Sequence, residues 1–197
     1  MPLYEVADRH QANVAASSEI AFAAAADLDL QQSLVIRGIF KGREWILGNL
    51  SANTAPPQPL LAWAKSLGWG LLAETPGREV VMGAVTRPWE ANVRFRPVPP
   101  EEFAAFHEPG YVKIAWTLRA DPISSDESVV RTETRVATTD PVARAKFRRY
   151  WAFLSPGIIL IRRVSLKMVK AQAEGRAASQ FKRAPKSPSV YTAPPAS

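Results

Sequence analysis

The chain has 197 residues, of which 47% are hydrophobic and 22% charged, a composition typical of one globular domain with a sizeable core. The absence of cysteine excludes disulfides, thiolate catalysis and cysteine-based metal sites. The net charge is +7, and the longest apolar stretch, residues 151–161, is too short to span a bilayer, so we expect a cytoplasmic protein.

The N-terminal part of the chain predicts one strand followed by short helices. Residues 3–14 alternate roughly between apolar and polar side chains and predict a first strand. Ser17 or Ser18 is suited to cap a first helix, and further short helices are predicted over 32–40 and 59–67. The residues assigned to the apolar face of the first strand are Tyr4, Val6, Ala12 and Val14.

The middle of the chain has the pattern of antiparallel strands. Two short runs joined by a Thr-Pro-Gly-Arg turn predict a hairpin over 70–87, and residues 92–98 are expected to add a strand. After a short helix over 100–106, the runs 111–120 and 128–139 alternate regularly and predict a second antiparallel pair.

A long amphipathic helix is predicted to begin at Asp140-Pro141. Aspartate caps free backbone N–H groups, and proline fits the first helical position, where no donor is needed. Apolar side chains then recur at steps of four and three residues, which predicts the face turned to the core. This row contains Phe147, Trp151, Leu154, Ile158, Ile161 and Met168. The basic residues assigned to the other side are Arg144, Lys146, Arg148, Arg149, Arg162, Arg163, Lys167 and Lys170.

The C-terminal residues 173–197 are expected to form a disordered basic tail. They are rich in alanine, serine, proline and lysine and bury too little apolar surface to fold. The folded domain is therefore predicted to cover residues 1–172.

Several stretches of the chain carry a family resemblance. Residues 14–22, Val-Ala-Ala-Ser-Ser-Glu-Ile-Ala-Phe, resemble the passage from first strand to first helix in the START-like superfamily. Residues 132–136, Asp140-Pro141 and residues 147–151 are similar to the last strand and final helix of a bacterial branch of that superfamily. The resemblance implies an α+β helix-grip fold, in which a curved antiparallel sheet wraps around a long C-terminal helix. The segment 33–67 departs from the pattern and is expected to reshape or cover the mouth of a cavity.

The family includes polyketide cyclases, Bet v 1-type allergens and lipid-transfer domains, so the resemblance implies a small hydrophobic ligand and no cofactor. An apolar cavity between sheet and helix would hold a lipid or a polyketide-like molecule. Strand alternation and the apolar helix row nominate the residues that line it, which are otherwise ordinary core residues and strand formers. These residues are Met82, Trp116, Thr132, Thr134, Phe147, Tyr150 and Trp151.

His107 is the one candidate for catalysis, and it is a weak one. It stands in a loop ahead of a strand, where Glu74, Glu101 or Glu108 would partner it as a general base of a cyclase or dehydratase. The alternative is a solvated loop histidine, and His10 is assigned to the first strand as a structural residue. Phosphate loops, nucleotide-binding glycine motifs, nucleophile elbows and zinc motifs are absent, so no metal site is expected.

Two charged surfaces leave further alternatives open. Arg131, Glu133 and Arg135 are predicted to face solvent, but in an inverted strand register they would hold an anionic headgroup in the cavity. The basic side of the final helix and the tail favour contact with an anionic membrane surface or non-specific binding to nucleic acid. The prediction that we carry forward is binding of a small hydrophobic molecule, with an enzyme as the second candidate and a surface-binding module as the third.

Overall fold

A single antiparallel sheet is the centre of the computed structural model, which describes residues 4–46 and 58–183. Within these residues the sheet has five strands in the order β1-β5-β4-β3-β2, so β1 and β2 are its edges. The strands are β1 Val6–Val14, β2 Gly70–Thr75, β3 Glu79–Thr86, β4 Val112–Pro122 and β5 Ser128–Thr138.

The first helix and the long C-terminal helix cover one face of the sheet, which we call the inner face. Three short helices lie between β1 and β2 in the chain, a fourth precedes β4, and the fifth follows β5 and packs against α1 and β1. A 3-10 turn over Leu30–Gln32 separates α1 from α2. The helices are α1 Ser18–Ala26, α2 Leu34–Ile46, α3 Leu60–Ser66, α4 Pro100–Phe103 and α5 Pro141–Arg183.

This arrangement confirms the predicted α+β helix-grip fold class. The strands β2, β3 and β4 each pair with the next strand along the chain, and β1 pairs with β5 at the other edge of the sheet. The long C-terminal helix then lies on the inner face, as the family resemblance implies. None of the helices in the described residues is long and apolar enough to cross a membrane.

Strand register decides which side chains meet on the inner face. Asp8 of β1 is opposite Thr134 of β5, which is opposite Trp116 of β4, which in turn is opposite Met82 of β3. Because side chains alternate along a strand, these four point to the same side of the sheet. The next row toward the other end of the strands contains His10, Thr132, Leu118 and Val80.

The main hydrophobic core lies between the inner face, α1 and the C-terminal half of α5. Its members include buried residues of each element. They are Val14 of β1, Phe22 and Ala25 of α1, Val130 of β5, and Leu166, Val169 and Ala173 of α5. Burial of such side chains contributes about 25 cal/mol per Å² of apolar surface, and this contact holds α5 on the sheet.

Asp140 caps α5 as predicted. Its Oδ1 accepts the backbone N–H groups of Val142 at 2.7 Å and Ala143 at 2.8 Å, and its Oδ2 accepts the N–H of Gly110. The N–H groups of Ala143 and Gly110 favour the charged carboxylate and lower the pKa of Asp140 from its ordinary value. The cap therefore also ties the loop before β4 to the start of the helix.

The outer face of the sheet carries the alternating charges, as predicted for a solvent-facing register. Glu133 pairs with Arg9 at 3.0 Å and with Arg135 at 2.5 Å, and Asp121 pairs with Arg119 at 2.6 Å. The inverted register, which would have placed Arg131, Glu133 and Arg135 in the interior, does not occur. A smaller apolar cluster of Val85, Val98 and Phe103 covers the remainder of this face.

Two predicted boundaries are wrong. Residues 92–98 do not form a strand: Arg96 alone makes a bridge to Val85, because the prolines at 97, 99 and 100 cannot donate ladder hydrogen bonds. The helix predicted to stop near residue 172 continues through Arg183, and the rest of the predicted tail, residues 184–197, lies outside the described residues. Ala173 is buried against the core and Ala177 packs beside it, whereas the pair of Arg176 with Asp27 at 3.1 Å is largely exposed and adds little.

Candidate functional site

A charged and hydrogen-bonded cluster occupies the middle of the inner face. Its centre is Arg162 of α5, whose Nε lies 2.7 Å from Oδ2 of Asp8 on β1. The side chains of Arg162 and Asp8 are only 17% and 11% exposed, so this ion pair is largely removed from water. The assignment of Arg162 to the basic outer side of the helix is therefore wrong.

The drift of an α-helix explains the misassignment. A straight helix has 3.6 residues per turn, so a row repeating every seven residues rotates by about 20° per heptad. After two heptads from Phe147 the row no longer faces the core, and neighbouring positions take its place. Ile161 and Met168 are half-buried, whereas Leu166 and Val169 are buried and Arg162 faces the sheet.

The strand side of the cluster comes from β1. Nε2 of His10 lies 2.8 Å from Oδ1 of Asp8, and we assign it as the donor because a carboxylate only accepts. His10 is 17% exposed, so Asp8 sits between a mostly buried imidazole and a mostly buried guanidinium. His10, which the sequence analysis assigned as a structural residue of the first strand, therefore belongs to this cluster.

Two threonines of β5 complete the cluster. Nη1 of Arg162 donates to Oγ1 of Thr132 at 3.2 Å, and Nη2 donates to Oγ1 of Thr134. The indole N–H of Trp116 also donates to Oγ1 of Thr132, at 2.8 Å. Three of the predicted lining residues, Trp116, Thr132 and Thr134, are thus brought together around a residue that the prediction had placed elsewhere.

The two charges of this cluster neutralise each other. Burial lowers the pKa of the Arg162 guanidinium from its ordinary value, and the charge of Asp8 opposes that shift. Arg162 Nε and Asp8 Oδ2 are partners in this ion pair, 2.7 Å apart, although the angle between them departs from that of a good hydrogen bond.

The part of α5 that covers the cluster is only half-buried. Every residue of 148–165 is described, and none is buried, whereas Phe147 before this stretch and Leu166 after it are. Half-buried apolar side chains here include Trp151, Leu154 and Ile158. Packing therefore fixes α5 on either side of this stretch, and the apolar side chains within it stay partly exposed.

The aromatic members of the predicted site lie beside this open stretch. The ring of Phe147 is 5.8 Å from that of Trp151 and 6.2 Å from that of Tyr150. Phe147 packs with Val112 and Val136 at one end of the inner face. Met82 is fully buried in the row of Trp116 and Thr134. All seven predicted lining residues thus lie at the inner face or on the helix over it, and their role in binding stays a prediction.

His107 lies apart from this cluster. It is exposed, and its Nδ1 is 2.8 Å from the carbonyl oxygen of Ala105. Glu108, one of its candidate partners, instead pairs with Arg96 at 2.7 Å. The described residues contain no group of three or more histidine, aspartate and glutamate side chains placed to hold a metal ion.

Segment 33–67 is described only in part, and residues 47–57 lie outside the described residues. The N-terminal half of α2 contacts α5. Ile39 lies so close to Gly157 of α5 that a Cβ added to this glycine would be 3.2 Å from Cγ2 of Ile39. A depression of about 10 Å³, room for one water, lies at the start of α3 and is lined in part by Asp29 and Trp63. This depression is separate from the polar cluster.

The chain was compared with known proteins. No family model matches it, and no curated protein matches it. Among solved structures, the aromatase/cyclase ZhuI from Streptomyces sp. R1128 is 13% identical with a TM-score of 0.31, covering 87% of this chain and 94% of that one. A START superfamily protein from Mycobacterium smegmatis is 15% identical with a TM-score of 0.30, covering 88% and 98%. Norcoclaurine synthase from Thalictrum flavum, in complex with dopamine and hydroxybenzaldehyde, is 12% identical with a TM-score of 0.35, covering 88% and 87%.

Identities this low, with TM-scores below 0.5, carry no argument about this chain. Its own elements define the class of fold: an antiparallel sheet of five strands packed on a long C-terminal helix, which is the helix-grip arrangement.

Proposed function

We propose that this chain binds a small, mostly apolar molecule, of lipid or polyketide-like character, between the inner face of the sheet and the middle of α5. The ligand carries a carbonyl or hydroxyl oxygen that accepts a hydrogen bond from Arg162. The observation that carries this proposal is a largely buried Arg162 that directs three of its five N–H donors to Asp8, Thr132 and Thr134, beside a stretch of helix that is only half-buried.

The charge balance of the cluster favours a neutral oxygen over a carboxylate. Asp8 already neutralises the guanidinium, and a second anion beside it would be repelled. A guanidinium has five N–H donors, and the contacts to Asp8, Thr132 and Thr134 account for three of them. The remaining donors suit a carbonyl or hydroxyl group, which also avoids burying an unpaired charge.

The apolar part of the ligand would cover the half-buried side chains of α5. Trp151, Leu154 and Ile158 lie on the exposed margin of the core, and burying them against a ligand contributes about 25 cal/mol per Å². The ligand would thus use the two remaining N–H donors of Arg162 and cover the half-exposed apolar side chains of α5.

Two probes of the same shape test the role of Arg162. 2-Acetylnaphthalene carries one carbonyl oxygen, and 2-ethylnaphthalene replaces that group by an apolar one. We expect the wild-type protein to bind the ketone about tenfold or more tightly, because a hydrogen bond from a charged donor contributes roughly 1.5–3 kcal/mol. Titration followed by tryptophan fluorescence measures both affinities, since Trp116 lies in the cluster.

Asp8→Leu combined with Arg162→Met leaves neither charge unpaired, and it is expected to abolish the preference for the ketone while leaving binding of the hydrocarbon unchanged. Arg148→Met, an exposed position on the same helix, is the matched control and should keep the preference. If neither probe binds, or if the paired variant weakens both probes equally while still folded, the proposal is wrong.

An enzyme is the second candidate function, and the contact between His10 and Asp8 favours it. A carboxylate that accepts one imidazole N–H fixes the tautomer, which leaves Nδ1 of His10 as a base beside the proposed ligand position. His10 thus replaces His107 as the candidate base. Cyclisation or dehydration of a polyketide-like substrate should be lost in His10→Gln and kept in His107→Gln, and the reverse result would exclude this role.

A cytoplasmic location is also part of the proposal.

A further inference from the structure

The side of α5 that faces away from the sheet carries a regular stripe of exposed residues. They follow one another at alternating steps of four and three, which places them on one side of the helix. All of them are exposed, including Phe153 at 82% and Leu160 at 44%. The stripe, which we call the outer stripe, consists of Val142, Lys146, Arg149, Phe153, Pro156, Leu160, Arg163 and Lys167.

Charge is distributed along the outer stripe in a simple order. Lys146 and Arg149 precede its apolar centre, and Arg163 and Lys167 follow it. No acidic residue occurs between residues 141 and 173, so the outer stripe has one sign of charge. In the described part of the chain these four cations form no ion pair, unlike Arg144, which pairs with Glu5, and Arg162.

We infer that the outer stripe docks on a bilayer surface that contains anionic lipid. Phe153, Pro156 and Leu160 would enter the boundary between headgroups and acyl chains, as the apolar face of an interfacial helix does. The cations at both ends would contact lipid phosphates and carboxylates, and long basic side chains reach the headgroups while their stems stay near apolar surface. At 1.5 Å per residue the stripe is about 38 Å long, enough to contact several lipids.

The apolar centre distinguishes a membrane from the other possible partners. Nucleic acid would be complementary to the cations, but its phosphate backbone offers nothing to an exposed Phe153 and Leu160. A second copy of the chain would bring four cations against four, which repel each other. An anionic bilayer is complementary to the charges and also removes the apolar side chains from water.

Flotation with vesicles tests this inference. The full chain is mixed with vesicles of phosphatidylcholine alone, or with vesicles of roughly three parts phosphatidylcholine to one part phosphatidylserine, at low salt. We expect binding to the second kind only, weakened by added salt. Arg149→Glu with Arg163→Glu should weaken it by roughly tenfold or more. Phe153→Ser with Leu160→Ser, which leaves the charge unchanged, should weaken it to a similar extent.

A charge-matched control separates the outer stripe from net charge. Lys65→Glu with Arg94→Glu changes the charge equally at two exposed positions away from α5 and should leave binding unaltered. Failure of the wild-type protein to float, or equal losses in this control, would overturn the inference. Flotation of the serine variant equal to that of the wild type would also overturn it, since a stripe that needs only its charges fits nucleic acid. A dimer of the wild type that either stripe variant dissociates would overturn it in favour of a second copy of the chain.

Discussion

Replacing Asp8 by alanine is expected to lower the free energy of unfolding by about 3–5 kcal/mol, because it leaves the Arg162 guanidinium largely buried without its counter-ion. His10 would also lose the acceptor for its Nε2–H. Urea unfolding followed by circular dichroism measures the loss. Asp126→Ala, an exposed position in the turn between β4 and β5, should change the free energy by less than about 0.5 kcal/mol.

A paired replacement separates the free-energy cost of an unpaired buried charge from the net contribution of the ion pair to stability. Asp8→Leu combined with Arg162→Met removes both charges and is expected to recover most of the stability, since apolar residues of similar volume often replace a buried pair without loss. If Asp8→Ala instead costs less than about 1 kcal/mol, then solvent screens the pair as it does at a surface, and the cluster is not the buried site described above.

Phe147→Ala is expected to cost about 3–5 kcal/mol, because it opens a cavity at the N-terminal anchor of α5. Phe147 is 2% exposed and packs with Val112 and Val136. The chain supplies its own control in Phe153, a phenylalanine on the same helix that is 82% exposed. Phe153→Ala should change the free energy of unfolding by less than about 0.5 kcal/mol, and equal losses in the two variants would contradict the helix orientation.

Except for the strand expected over 92–98, the order of elements was predictable from the sequence, because strand alternation and helix caps are local signals. The strands 111–120 and 128–139 and the cap at Asp140 agree with the structure to within one or two residues. The end of α5 was not predictable in the same way. Ala173 and Ala177 pack against the core beyond residue 172, and no local pattern shows this tertiary contact.

The candidate site was predicted in part. Trp116, Thr132 and Thr134 followed from strand alternation, whereas Arg162 was missed because a strict seven-residue row drifts around the helix. Asp8 and His10 did carry a signal. They occupy the same alternating face of the first strand as Val6 and Ala12, and ionisable side chains at core positions require a buried partner.

Native mass spectrometry of the purified protein, followed by organic extraction of anything bound, tests the central claim most directly. We expect a discrete co-purifying apolar molecule with at least one carbonyl or hydroxyl oxygen, absent from the variant that combines Asp8→Leu with Arg162→Met and retained by Arg148→Met. A clean mass of the chain alone, unchanged after incubation with mixed lipids and aromatic ketones, would contradict it. In that case the cluster around Arg162 serves only to hold α5 on the sheet.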